Sequence, residues 1–122
     1  MSDTALETFI FPEGRTIIEQ GDPAMEAYMI EKGRVRVFVT KDDKEIDLAE
    51  LGEDEIFGET ALFKGSDYGA SVQAIEETTV IKITPEILDI KIRLCDPMIR
   101  SLIRMMMARQ RQTNNELADL KG

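Results

Sequence analysis

Short runs of alternating apolar and polar residues occupy the chain from Phe9 to about Thr84, and turn-forming residues separate them. Alternation of this kind is typical of β-strands that bury one face. Six runs are predicted strands: residues 16–18, 28–30, 35–39, 46–48, 70–74 and 79–83. The turns recur at roughly the 8–12-residue spacing of antiparallel barrels and sandwiches. The pattern therefore predicts a mainly β fold, an antiparallel β-roll or jelly-roll barrel, over about residues 9–84.

The hydrophobic period becomes helical after Thr84. Thr84 followed by Pro85, and Asp96 followed by Pro97, are each typical of a helix N-cap with proline at the first helical position. We expect a short helix over about 85–95 and a longer C-terminal helix over about 97–120. The 122 residues match one ordinary domain, which we expect to span 1–122.

The longer helix carries an apolar seam. Its members follow one another at spacings of three and four residues: Ile99, Ile103, Met106, Gln110, Thr113, Leu117 and Leu120. Such a heptad pattern is typical of helices that pair, and Gln110 and Thr113 weaken its middle. Two interpretations remain open, a homodimer or protein partner held by the 97–120 helix, and a helix folded back on its own barrel.

The charge is divided unevenly between the two regions. Acids outnumber bases 24 to 15, for a net charge of −9. Residues 1–90 hold 21 acids and 8 bases, whereas residues 91–122 hold 3 acids and 7 bases. Nucleic-acid binding would require a positive face, so we expect no DNA partner and no membrane partner. We interpret the arginines of the long helix as a solvated stripe near an acidic barrel.

Composition also excludes several chemistries. The absence of histidine excludes histidine acid–base catalysis and histidine metal ligands. One cysteine, Cys95, excludes an internal disulfide and a paired-cysteine zinc site. No nucleophile elbow or Walker loop is present, and no apolar run approaches the roughly 20 residues that cross a bilayer. We expect a cytoplasmic protein that is not an enzyme and holds no metal.

Candidate binding chemistry lies between residues 56 and 72. Gly58 follows a predicted strand end at Phe57, and the N–H groups of a short helical turn after it would favour an anion. Glu59 would repel an anion, but it could accept hydrogen bonds from a sugar hydroxyl. A plain barrel loop with a solvent-facing glutamate is the alternative interpretation.

Three ordered blocks carry a resemblance to a known family. They are Phe11-x-x-Gly14-x-x-Ile17-x-x-Gln20-Gly21-Asp22, then Tyr28-x-Ile30-x-x-Gly33-x-Val35-x-Val37, then Phe57-Gly58-Glu59-x-Ala61-Leu62. From Phe9 to the long helix the chain resembles the cyclic-nucleotide-binding domain, the β-roll shared by catabolite activator protein, cAMP-dependent kinase regulatory subunits and nucleotide-gated channels. The resemblance implies a ligand cavity formed by Phe57, Gly58, Glu59, Thr60, Ala61, Tyr68, Gly69 and Ala70.

One departure from the family changes the expected ligand. The family has an arginine that pairs with the cyclic phosphate, and alignment on Ala70 and Val72 places Tyr68 there, with Gly69 as the small residue that follows. Tyrosine offers one neutral O–H where arginine offers a charge and a bidentate fork. Losing a charge-assisted contact costs on the order of 1.5–3 kcal/mol. We therefore expect weak or no binding of cAMP or cGMP, although Glu59 matches the family's ribose-binding glutamate.

The resemblance implies a regulatory role. In the transcription-factor members a DNA-reading helix-turn-helix follows the long helix, whereas this sequence stops at Gly122. We expect a stand-alone regulatory or interaction module whose C-terminal helices transmit its output. The alternative is a genuine sensor of a cyclic nucleotide or another small metabolite, in which Tyr68 stacks on a base or donates a hydrogen bond.

Overall fold

The structure is a computed structural model that describes residues 6–63 and 66–121, without the side chains of residue 63 and residues 110–121. This part of the chain forms eight strands and three helices. The strands are β1 (Thr8–Phe11), β2 (Thr16–Ile18), β3 (Ala27–Lys32), β4 (Val35–Lys41), β5 (Lys44–Leu51), β6 (Ile56–Phe57), β7 (Ser71–Ala74) and β8 (Thr78–Ile83). The helices are α1 (Thr60–Phe63), α2 (Pro85–Arg93) and α3 (Pro97–Lys121).

Two four-stranded antiparallel sheets form the β-roll. Their strand orders are β1-β8-β3-β6 and β2-β7-β4-β5. The core contains seven buried side chains contributed by both sheets: Ile18, Tyr28, Ile30, Val35, Phe57, Val72 and Val80. The predicted fold class, an antiparallel β-roll followed by helices, is confirmed.

The six predicted strands are all present, with bounds that differ by a few residues. The hairpin between β4 and β5 turns at Asp42 and Asp43, which have φ values of 54° and 63°. Two consecutive positive φ angles are those of a type I′ turn, which matches the right-handed twist of paired strands. Asp42 and Asp43 are therefore the two turn residues of this hairpin.

Gly33 allows the turn between β3 and β4 to lie against the start of β8. Its φ is +111°, and a Cβ atom there would lie 2.6 Å from both the Glu77 carbonyl oxygen and Thr78 Oγ1. Thr78 is fully buried, and its hydroxyl donates to the carbonyl oxygen of Arg34 at 3.1 Å. The close approach therefore depends on the absence of a side chain at position 33.

The two predicted helix starts are confirmed. Thr84 Oγ1 accepts a hydrogen bond from the Ile87 N–H at 3.1 Å, and Asp96 Oδ1 accepts one from the Met98 N–H at 2.8 Å. Arg100 Nη1 then donates to the Arg93 carbonyl oxygen at 3.0 Å, which links α3 to the end of α2. Within the part of the chain described, neither of these helices has the length and apolar character needed to cross a bilayer.

The first half of α3 has two apolar faces. Ile103 and Met107 are half-buried, and Met107 contributes to a small cavity of about 120 Å³ beside α1 and α2. The other face is exposed, with Met98 at 69% and Met106 at 63%. Of the predicted seam, Ile103 thus lies towards the body of the protein, while Ile99 and Met106 are exposed. Its remaining side chains lie outside the described residues: Gln110, Thr113, Leu117 and Leu120.

Candidate functional site

A cavity of about 470 Å³ opens between the two sheets, beside α1. Its volume is within the range of roughly 300–1,000 Å³ that is typical of small-molecule sites. The sheet that contains β5 contributes five apolar residues: Ile18, Val37, Leu48, Leu51 and Val72. The other sheet contributes Ile56 and Phe57. Two connecting segments, 58–60 and 68–70, complete the wall.

The structure brings seven of the eight predicted site residues around this cavity: Phe57, Gly58, Glu59, Thr60, Tyr68, Gly69 and Ala70. The prediction for Ala61 needs correction, because Ala61 is buried in α1 and does not line the cavity. Its N–H donates to the Gly58 carbonyl oxygen at 3.2 Å, and the Leu62 N–H donates to that of Glu59 at 2.9 Å. These two amides, which the sequence indicated as free for an anion, are therefore already paired within the turn.

Sequence reasoning missed the apolar wall. The missed residues are Ile18, Val37, Leu48, Leu51, Ile56 and Val72. Alternation along β4 and β7 was the available signal, since Val37 and Val72 are direct cross-strand partners and share one face. Alternation alone does not say which faces of two sheets enclose a space.

Gly58 allows the wall to close tightly. Its φ is +75°, and a Cβ atom would lie 2.8 Å from Ile18 Cδ1 and 3.4 Å from Tyr68 Cε1. A side chain at position 58 would therefore clash with Ile18 and crowd the ring of Tyr68. The glycine thus serves both the turn after β6 and the packing of the cavity wall.

Tyr68 is held firmly by the loop that precedes β3. Its hydroxyl donates to the Glu26 carbonyl oxygen at 2.5 Å and faces the Glu26 N–H at 3.4 Å. Its backbone N–H donates to the Asp22 carbonyl oxygen, and its own carbonyl oxygen accepts from the Gly21 N–H, both at 2.9 Å. Partial burial raises the pKa of Tyr68 above its ordinary value, so the ring is uncharged at neutral pH.

A second tyrosine supports the same loop. The Tyr28 hydroxyl donates to Glu26 Oε1 at 2.9 Å, and its ring stacks on Phe57 with the centroids 5.5 Å apart. Burial, followed by the neighbouring Glu26 carboxylate, raises the pKa of Tyr28 far above its ordinary value. A smaller cavity of about 280 Å³ shares Ile18 and Tyr68 with the first, so Tyr68 borders both spaces.

The walls of the larger cavity carry negative charge. Among the described residues that line it, Glu59 is the one ionised side chain, and neither lysine nor arginine is present. Lys64, the base within the predicted binding segment, lies outside the described residues. The described walls therefore supply no cation for a bound phosphate.

Comparisons with known proteins agree with this architecture. The family model for the cyclic nucleotide-binding domain matches residues 8–92. The cyclic AMP receptor protein of Thermus thermophilus is 33% identical over 119 residues, which cover 94% of this chain and 55% of that protein. The chain thus spans about half the length of this curated relative.

Solved structures show the same similarity. The EAL enzyme Bd1971 in its halfsite-occupied form superposes with a TM-score of 0.86 at 36% identity, covering 90% of this chain and 99% of that chain. The cAMP-bound form of the same enzyme gives a TM-score of 0.67 at 34% identity, covering 92% of this chain and 30% of that chain. Together with the match over residues 8–92, this similarity shows that the chain belongs to the cyclic nucleotide-binding domain family.

Proposed function

We propose that this chain is a regulatory, non-catalytic ligand-binding domain that takes cAMP and cGMP weakly or not at all. The observation that carries the proposal is the position of Tyr68, which stands where the family's phosphate-binding arginine is expected. Its one O–H donates to the Glu26 carbonyl oxygen, so it is not free to donate to a ligand. We propose Glu59 as the residue that accepts hydrogen bonds from a sugar.

The expected loss of affinity for cyclic nucleotides comes from side chains rather than from the fold. A structural neighbour has been solved in a cAMP-bound form, which supports a cyclic nucleotide as a ligand of this architecture. We therefore attribute the expected difference to the residues that line the cavity. A missing charge-assisted contact is worth on the order of 1.5–3 kcal/mol, or roughly ten- to over a hundredfold in affinity.

Titration calorimetry with cAMP and cGMP tests the proposal on three proteins: wild type, Tyr68→Arg and Tyr68→Phe. We expect weak or undetectable binding by wild type and a gain of about tenfold or more in Tyr68→Arg. Tyr68→Phe is the matched control, because it removes the hydroxyl without adding a cation, and it should gain nothing. A low-micromolar dissociation constant for the wild type would contradict the proposal.

A second candidate function is a genuine sensor of another small metabolite that signals through α2 and α3. The open, largely apolar cavity with Glu59 on its wall favours it. A thermal-shift screen of nucleotides, nucleosides and sugars separates the two functions, since a ligand of the native state must raise the melting temperature. A screen without any shift would leave the interaction module as the better account.

We also propose that the exposed face of α3 pairs with a second copy of the chain. This face consists of Met98, Leu102, Met105 and Met106. The net charge of −9 favours a protein partner over DNA.

A further inference from the structure

We infer that the cavity selects a neutral, hydroxyl-bearing ligand with a flat apolar body, a nucleoside, over the corresponding 3′,5′-cyclic phosphate. This inference rests on the proposed function, because it names the ligand class of the same cavity. It goes further than the proposed function, because weak binding of cyclic nucleotides does not by itself say which ligand the cavity holds.

The apolar wall fits the base of a nucleoside. Val37, Leu48, Leu51 and Val72 line the cavity from one sheet, and Ile56 and Phe57 line it from the other, so most of its side chains are apolar. Small-molecule sites combine such a lining with a few polar groups that orient the ligand. A purine ring offers the flat, weakly polar surface that such walls can cover.

The polar end of the cavity fits free hydroxyl groups. Glu59 and Thr60 are consecutive on its wall, and Glu59 is exposed. An ionised carboxylate accepts hydrogen bonds and donates none, while a threonine hydroxyl does both. A ribose presents three hydroxyl donors, whereas the cyclic phosphate ties up two of them in its ester bonds. The nucleoside can therefore make more of the hydrogen bonds that these residues require.

The charge of the cavity also opposes the phosphate. A diester anion would lie in a cavity whose described walls carry one carboxylate and no cation. Tyr68 does not compensate, because the ring is neutral and its hydroxyl donates to the Glu26 carbonyl oxygen. An anion without a partner at a partly buried site loses hydration and gains nothing in return. A nucleoside carries no charge and avoids this cost.

Calorimetry on the full chain with two matched ligand pairs, adenosine with cAMP and guanosine with cGMP, tests the inference. Each pair shares its base and sugar and differs in the phosphodiester. We expect the nucleoside of at least one pair to bind about tenfold more tightly than its cyclic phosphate. Tyr68→Arg should reverse that preference, since it supplies the cation.

Replacing the Glu59 carboxylate tests whether Glu59 binds the hydroxyl groups of the ligand. Glu59→Gln should weaken nucleoside binding by about tenfold, because the amide is a poorer acceptor than the carboxylate. Glu77→Gln is the matched control, since Glu77 is exposed and does not line the cavity, and it should leave the affinity unchanged. An unchanged affinity in Glu59→Gln would overturn the assigned role of Glu59.

The outcomes separate this inference from the proposed function. If in both pairs neither member binds, or both members bind equally weakly, the inference is overturned and the proposed function stands. If the cyclic nucleotide binds in the low-micromolar range and more tightly than its nucleoside, both are overturned. Tight nucleoside binding together with weak cyclic-nucleotide binding supports both.

Discussion

The phenolic oxygen of Tyr68 lies 2.5 Å from the backbone carbonyl oxygen of Glu26 and donates its hydrogen to it. The bond joins residues 42 positions apart, the segment before β7 and the segment before β3. It places an uncharged ring at the border of two cavities and uses the one donor that the side chain has. Tyr68 is therefore a structural part of the wall of the larger cavity.

Removing this hydroxyl alone should destabilise the fold modestly. In Tyr68→Phe the ring remains, while the Glu26 carbonyl oxygen loses its donor, so we expect a loss of about 0.5–1.5 kcal/mol in the free energy of unfolding. Urea denaturation should show a lower midpoint with an unchanged slope. A midpoint equal to that of wild type would show that the bond contributes nothing to stability.

Both tyrosines should lose their protons at a higher pH in the native protein than in the unfolded chain. The chain contains two tyrosines, Tyr28 and Tyr68, and no tryptophan, and burial raises the pKa of each. Unfolded tyrosine titrates near pH 10, so above about pH 10 the unfolded chain releases protons that the folded chain retains. Stability should therefore be complete below that pH and fall as the pH rises above it.

Tyrosinate absorbance measures this directly. In the native protein the rise in tyrosinate absorbance should occur at higher pH than in protein unfolded in urea. The Tyr68→Phe variant should still show the high-pH rise that comes from Tyr28. Coincident transitions in the folded and unfolded chains would refute the expected shift.

Two glycine variants should separate steric clash from backbone strain. Gly33 and Gly14 both have positive φ, +111° and +87°, but a Cβ atom meets nothing within 4 Å at Gly14 and meets backbone atoms of β8 at Gly33. Gly14→Ala should cost about 1–2 kcal/mol from backbone strain. Gly33→Ala should cost a further ~1–3 kcal/mol, because the backbone atoms it meets cannot move aside easily. Thermal unfolding compares the two, and equal losses would argue against the clash.

The proposed homodimer depends on the exposed face of α3. Light scattering after gel filtration should report a dimer for wild type and a monomer for Leu102→Glu or Met106→Glu, because a charge would be buried between the helices. Ser101→Glu introduces the same residue beside that face, at an exposed position, and should remain dimeric. A monomeric wild-type protein would rule out this assembly.

Much of the architecture could be predicted because its signals are local. The caps at Thr84 and Asp96, the hairpin turn at Asp42 and Asp43 and the alternation in β4 each depend on a few neighbouring residues. β1 is not among the predicted strands, because Thr8–Phe11 contains three consecutive apolar residues and shows no alternation. Its pairing with β8 holds it in place, and that pairing joins distant parts of the chain.

By itself, the sequence determined six of the strands, the two C-terminal helices and the family blocks around Gly14, Gly33 and Gly58. Tertiary structure alone decided that the Tyr68 hydroxyl meets the Glu26 carbonyl oxygen and that Ala61 is buried and does not line the cavity. It also decided which apolar faces form the cavity wall. The physical reason is that turns and caps are short-range interactions, whereas a cavity exists only when two sheets close on each other and bring remote side chains together.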